Sequence, residues 1–198
     1  MTKEVSDLLK KTDIRAVETQ LALRCAPLLA GLKPSNLLIL KNCQAQALYG
    51  LLQNTRFSSY ELYGTGTETV LLLYADMPLA CCLKQPEARA MLWQKGYRDF
   101  SLQALLAGFA ARYASCRRSG GEFPHEMGLF LGYPPEDVRG FLENGGNNAL
   151  YAGYWKVYQN LARKIRLFKS YDKAKACLVR LIAGGAGMAE VLNFYGGQ

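Results

Sequence analysis

Histidine is nearly absent: the 198 residues hold a single one, His125. That scarcity excludes sites built on several imidazoles, and it routes any acid–base step near neutral pH through one side chain. Cysteine is present but unpatterned. None of Cys25, Cys43, Cys81, Cys82, Cys116 and Cys177 forms a Cys-x-x-Cys, so the paired spacing of a structural zinc site is missing. The six read as thiols in a reducing compartment. Long hydrophobic runs are also missing, which excludes a membrane-spanning helix. The N-terminus, Met1-Thr-Lys-Glu-Val-Ser-Asp7, has no apolar core of a secretory signal, so a cytoplasmic protein is expected. Phosphate loops are absent too. Gly64-Thr-Gly66 lacks both a third glycine and a Gly-Lys-Ser/Thr ending, and a strand follows it, so it reads as a plain turn. There is no internal repeat, heptad run or low-complexity block.

What is present fits a globular chain: 50% hydrophobic residues support a core, and 20% charged residues a solvated surface. The length suits a single domain over residues 1–198, with loosely held ends expected at 1–13 and 185–198. The pattern predicts α+β (or α/β), a small sheet of three or four strands flanked by several helices. Strands are expected at Leu37–Leu40, Tyr60–Tyr63 and Thr69–Tyr74, the last two as a hairpin. Thr69–Tyr74 is apolar on both faces and reads as the central strand.

Helices are expected at 14–31 (capped by Asp13, disturbed by Pro27), 43–53, 77–95 (broken near Pro86) and 100–116. A short one should follow Pro134-Pro135, burying Val138, Phe141 and Leu142. Residues 150–169 read as the clearest helix, with Tyr154 and Tyr158 on its buried stripe and Trp155 and Lys156 off it. A last helix is expected over 171–183.

The segment from Phe123 to Phe141 carries the most chemistry. Pro124 fixes the approach to His125, Glu126 follows it, and Gly128 permits a close approach to the backbone. One reading makes His125 and Glu126 an acid–base pair at a pocket rim; the other makes His125 a hydrogen-bonded anchor. Tyr133, Trp155, Lys156 and Lys33 are candidate ligand-binding groups. A Cys–His thiol hydrolase is an alternative, with Cys25 as the weaker catalytic candidate because it falls on an apolar helix stripe. No metal-ligand set can be assigned; flavin, haem or a metal stay open as cofactors.

Charge is uneven. Residues 151–198 hold eight Lys or Arg against two acids, whereas the first 150 are nearly balanced at sixteen against fourteen. A basic helical face with Lys156, Arg163, Arg166 and Lys169 would suit an acidic protein such as a flavodoxin, and less readily nucleic acid, for which no motif is present.

Three segments carry a resemblance: Cys25-Ala-Pro-Leu-Leu-Ala-Gly-Leu-Lys-Pro34, Pro124 through Phe141, and Gly153-Tyr-Trp-Lys-Val-Tyr158. The chain resembles, over about residues 20–177, an uncharacterised domain-of-unknown-function family (DUF3793) of anaerobic Gram-positive bacteria. The resemblance implies a cytoplasmic single-domain protein with genes near flavodoxin and iron-transport genes, hence redox or metal physiology. It transfers no functional residue. The resemblance also implies a Cys, carried by many relatives, just before the Gly-Tyr-Trp segment, where this chain has Leu150-Tyr-Ala152.

Overall fold

The structure is a computed structural model that describes residues 16–196, with side chains to Leu192. The expected Asp13 cap and the apolar Phe194 lie outside the described residues or side chains. Ten helices and five strands are described. In chain order they are α1 (Val17–Arg24), α2 (Ala26–Leu29), β1 (Ser35–Lys41), α3 (Asn42–Leu52), β2 (Phe57–Gly64), β3 (Glu68–Ala75), α4 (Asp76–Lys84) and α5 (Pro86–Gln94). They continue as α6 (Leu102–Ser119), α7 (Met127–Phe130), α8 (Pro135–Glu143), β4 (Tyr151–Ala152), β5 (Lys156–Val157), α9 (Leu161–Ala183) and α10 (Met188–Gly196).

The architecture is mixed α+β, built on an antiparallel sheet of order β1-β3-β2. β3 takes the centre because both of its faces are apolar, and period-two alternation divides them between two cores. Leu71, Leu73 and Ala75 face a core shared with α1, α2, α3, α10 and the C-terminal half of α9. Val70, Leu72 and Tyr74 face a second core built from α4, α5, α6, α7 and α8. The chain breaks between α4 and α5 at Gln85, since Pro86 cannot donate to a continuing helix. Ser101 caps α6 by accepting from the Ala104 amide, and Gly120 ends it at φ 66°.

Three expectations are corrected. Residues 150–160 are not helical: β4 and β5 form a small hairpin there, with the Leu150 amide donating to the Val157 carbonyl. Tyr, Trp and Val suit a pleated strand as well as a helix, and Gly153 makes the turn. The helix starts only after Asn160, which sits at φ 52°, and then runs unbroken through Ser170 to Ala183. Two positions of the hairpin reverse the helical reading, with Trp155 buried and Tyr154 exposed, while Lys156 is exposed as expected. Finally, Leu142 is 37% exposed rather than packed inward. The Gly-rich stretch after Ala183 leads into α10, whose Met188, Val191 and Leu192 are buried in the first core.

Candidate functional site

A third, smaller aromatic cluster lies beside the second core, made of Trp155, Val157, Phe168 and Tyr171. Between it and α7–α8 opens a cavity of about 280 Å³. Four of the residues singled out from the sequence line it: His125, Tyr133, Trp155 and Lys156. Phe123, Met127, Val138 and Phe141 supply the apolar wall.

Each wall is held by an identifiable contact. α7 is tied to the sheet because the Ser35 hydroxyl donates to the Phe130 carbonyl. Gly132, at φ 71°, lets the chain turn from α7 while Pro34 packs where a Cβ would sit. The close approach at Gly128 is taken by Val138, whose Cγ2 would lie 2.8 Å from an added Cβ. Tyr133 stacks on Trp155 with ring centroids 4.8 Å apart and 25° between planes. Trp155 in turn meets Phe168 edge-on at 4.6 Å.

His125 is half-buried between Phe123 and Phe141, each ring centroid 5.4 Å away. Neither imidazole nitrogen has a hydrogen-bond partner among the described residues. Lys156 also lines the cavity, with Nζ 5.8 Å from the Phe141 ring centroid, and donates to the Gly146 carbonyl at 2.6 Å, which uses one of its three N–H bonds. It belongs to β5, not to a basic helix.

Asp137 is the residue that sequence reading missed. It is 1% exposed, and both its oxygens are occupied. Oδ2 accepts from the Trp155 indole N–H at 2.7 Å, and Oδ1 from the Tyr158 and Gln159 amides at 2.9 and 3.2 Å. Lys164 Nζ, itself buried, lies 3.2 Å from Asp137 Oδ2 and 2.6 Å from Glu136 Oε1. Asp137 thus fixes the cavity's indole wall and presents no free charge. Its only signal in the sequence is an acid in the first turn of α8, the ordinary place for one.

Six candidates lie elsewhere. Glu126 is turned to α6, where Oε1 pairs with Arg112 Nε at 2.5 Å and accepts from the Tyr97 hydroxyl at 3.3 Å. It anchors the loop and does not orient His125. Cys25 is fully buried in the first core, and burial pushes its thiol up to about 12, so no thiolate is available near neutral pH. Lys33 lies behind Tyr133, with Nζ 5.3 Å from the ring centroid and bonded to Asn36 Oδ1 at 2.9 Å. Burial draws its amine down to about 8. Arg163, Arg166 and Lys169 are exposed on α9, away from the cavity lining.

Among the described residues, no three His, Cys, Asp or Glu side chains converge to hold a metal ion. No described helix is long and apolar enough to cross a membrane. No curated protein and no solved structure matches the chain. The model of one family, described as "Protein of unknown function (DUF3793)", matches residues 21–192. That match covers all three signature segments and every wall of the cavity, and the chain belongs to the DUF3793 family.

Proposed function

We propose that this is a cytoplasmic binding protein for a small, flat, largely apolar molecule bearing one anionic group, held in the cavity beside His125. The observation that carries this reading is an imidazole without a protein partner in the wall of an aromatic cavity. The ring sits half-buried against Phe123 and Phe141, so its nitrogens are free to meet a polar group on a bound molecule. The stacked Tyr133–Trp155 pair favours a planar partner. Charge sets the sign: Lys156 keeps two free N–H bonds, whereas both oxygens of Asp137 are occupied. At about 280 Å³ the cavity stands just under the lower end of drug-sized pockets, about 300 Å³, so it suits one or two fused rings. A flavin could insert its ring system only in part. No Ser, Thr or Cys lines the cavity, so the geometry supports binding over covalent catalysis and gives the thiol hydrolase no support.

The test uses 1-naphthoate as probe and naphthalene as its uncharged counterpart, in a Trp93→Phe background so that Trp155 alone reports. Naphthoate should quench Trp155, and His125→Ala should weaken binding about tenfold, the worth of one charge-assisted hydrogen bond, without lowering stability. Equal affinity for naphthalene, or full naphthoate binding by His125→Ala, would sink the reading. An absorption spectrum of protein purified without oxygen tests for a resident flavin or haem, the link to redox or iron physiology.

A further inference from the structure

The outer face of α9 does not touch the cavity, and its pattern is regular. The helix carries seven Lys or Arg and a single acid, Asp172. Lys164 is spent inside and Lys175 is half-buried, but Arg163, Arg166, Lys169, Lys173 and Arg180 are all exposed. At about 100° per residue these five fall within an arc of about 120°, and at 1.5 Å per residue the row is about 25 Å long. Arg163, Arg166, Lys169 and Lys173 have no acidic partner among the described residues.

One edge of this row carries tyrosines. The Tyr154 hydroxyl donates to Asp172 Oδ1 at 2.9 Å. Its ring meets Tyr171 edge-on at 4.9 Å, which fixes its orientation. Asp172 lies about 60° round the helix from Lys169, so Tyr154 borders the basic row. Tyr151 packs beside Phe168 at 6.2 Å on the same hairpin. Tyr151 and Tyr154 remain 46% and 38% exposed.

We infer that the α9 face and the β4–β5 hairpin form a docking surface for single-stranded nucleic acid. A straight row of cations without an interspersed acid matches a chain of regularly repeated phosphates. Held, half-exposed aromatic rings beside it offer stacking platforms that accept any base. A folded acidic protein would have to present its carboxylates in a matching line, and it would gain nothing specific from tyrosine faces. A duplex keeps its bases stacked away from them.

The experiment uses the full chain with fluorescein-labelled oligo(dT) and oligo(U), the matching duplex, and poly-glutamate, titrated over a range of salt. Both single strands should bind, with a slope of log K against log salt near −3, since four engaged cations contribute about −0.7 each. Lys169→Gln with Lys173→Gln should make that slope shallower by about 1.4. Tyr151→Ala should lower affinity about tenfold while leaving the slope unchanged, because stacking is not electrostatic. Both sets alter exposed side chains, and circular dichroism checks that each variant is folded. Absent binding at low salt overturns the inference. So does an unaltered slope in the Lys variant. Poly-glutamate or duplex bound as tightly as single strands would overturn it as well, the first assigning the face to an acidic protein. These outcomes are independent of naphthoate binding at the cavity.

Discussion

Lys33 shows how one buried group leaves a measurable trace. Lys33 as a residue is 8% exposed, its amine's hydrogen bond goes to a neutral amide, and no carboxylate compensates it. Burial disfavours the charged form and draws the amine from its ordinary 10.5 to about 8. Between those values the unfolded chain holds a proton that the folded chain has released. The stability therefore rises with pH through this window, and the cost is fully present below pH 8. A shift of that size corresponds to about 3 kcal/mol when the whole window is crossed. Cys25 works in the opposite direction: its raised thiol keeps a proton that the unfolded chain loses, so stability falls above its ordinary 9.0. The clean interval lies just above pH 8 and below 9. Urea unfolding there should show wild type gaining stability relative to Lys33→Met, and parallel curves would refute the account. Lys33, Glu126 and Cys25 were visible in the sequence as chemically capable residues. Their partners were not, because a side chain's direction depends on the element packed against it.

At the scale of elements, the β4–β5 hairpin depends on a carboxylate it does not contain. Asp137 on α8 accepts from the Trp155 indole and from two amides just after β5, and forms an ion pair with Lys164 on α9. It therefore joins three elements through one buried group. Asp137→Ala leaves those donors unsatisfied and Lys164 with Glu136 alone. The expected cost is about 3–5 kcal/mol in chemical denaturation, as for other broken buried pairs. Trp155 should become more accessible to a quencher in the same variant, again with Trp93→Phe as background. A loss under 1 kcal/mol would mean that the hairpin is held by its aromatic packing. Most elements were legible in the sequence because short-range rules decide them. Pro86 separates α4 from α5, and the apolar β3 takes the sheet centre. Residues 150–160 were not legible, because Tyr154 and Tyr158 recur at helical spacing by coincidence. Gly153 and the aromatic content were the contrary signals.

For the whole molecule, the net charge of +8 gathers toward the C-terminal part of the sequence, and α9 carries most of it. Like charges along one exposed face repel in the folded state and spread apart in the unfolded one. Added salt should relieve this. Raising NaCl from about 0.02 M to about 0.5 M shortens the screening length severalfold. The melting temperature should rise on the order of 2 °C, as expected for under 1 kcal/mol in a chain of this size. Lys169→Gln with Lys173→Gln should rise less. A wild type insensitive to salt, or one that melts lower, would show that the α9 charges are already compensated within the molecule.

The sequence by itself determined the sheet's central strand, most helix limits, the mixed α and β composition and four of the residues around the cavity, including its only imidazole. These follow from local rules: alternation, capping, proline and glycine conformations, and the chemistry each side chain can perform. Tertiary structure alone decided that His125 and Glu126, neighbours in the chain, face different partners. It also placed Trp155 inside and Tyr154 outside, and made Asp137 the hub of the hairpin. The reason is physical. A hydrogen bond between α8 and the hairpin spans about twenty residues of sequence and leaves no periodic mark on either, since its geometry exists only once both elements rest on the same core.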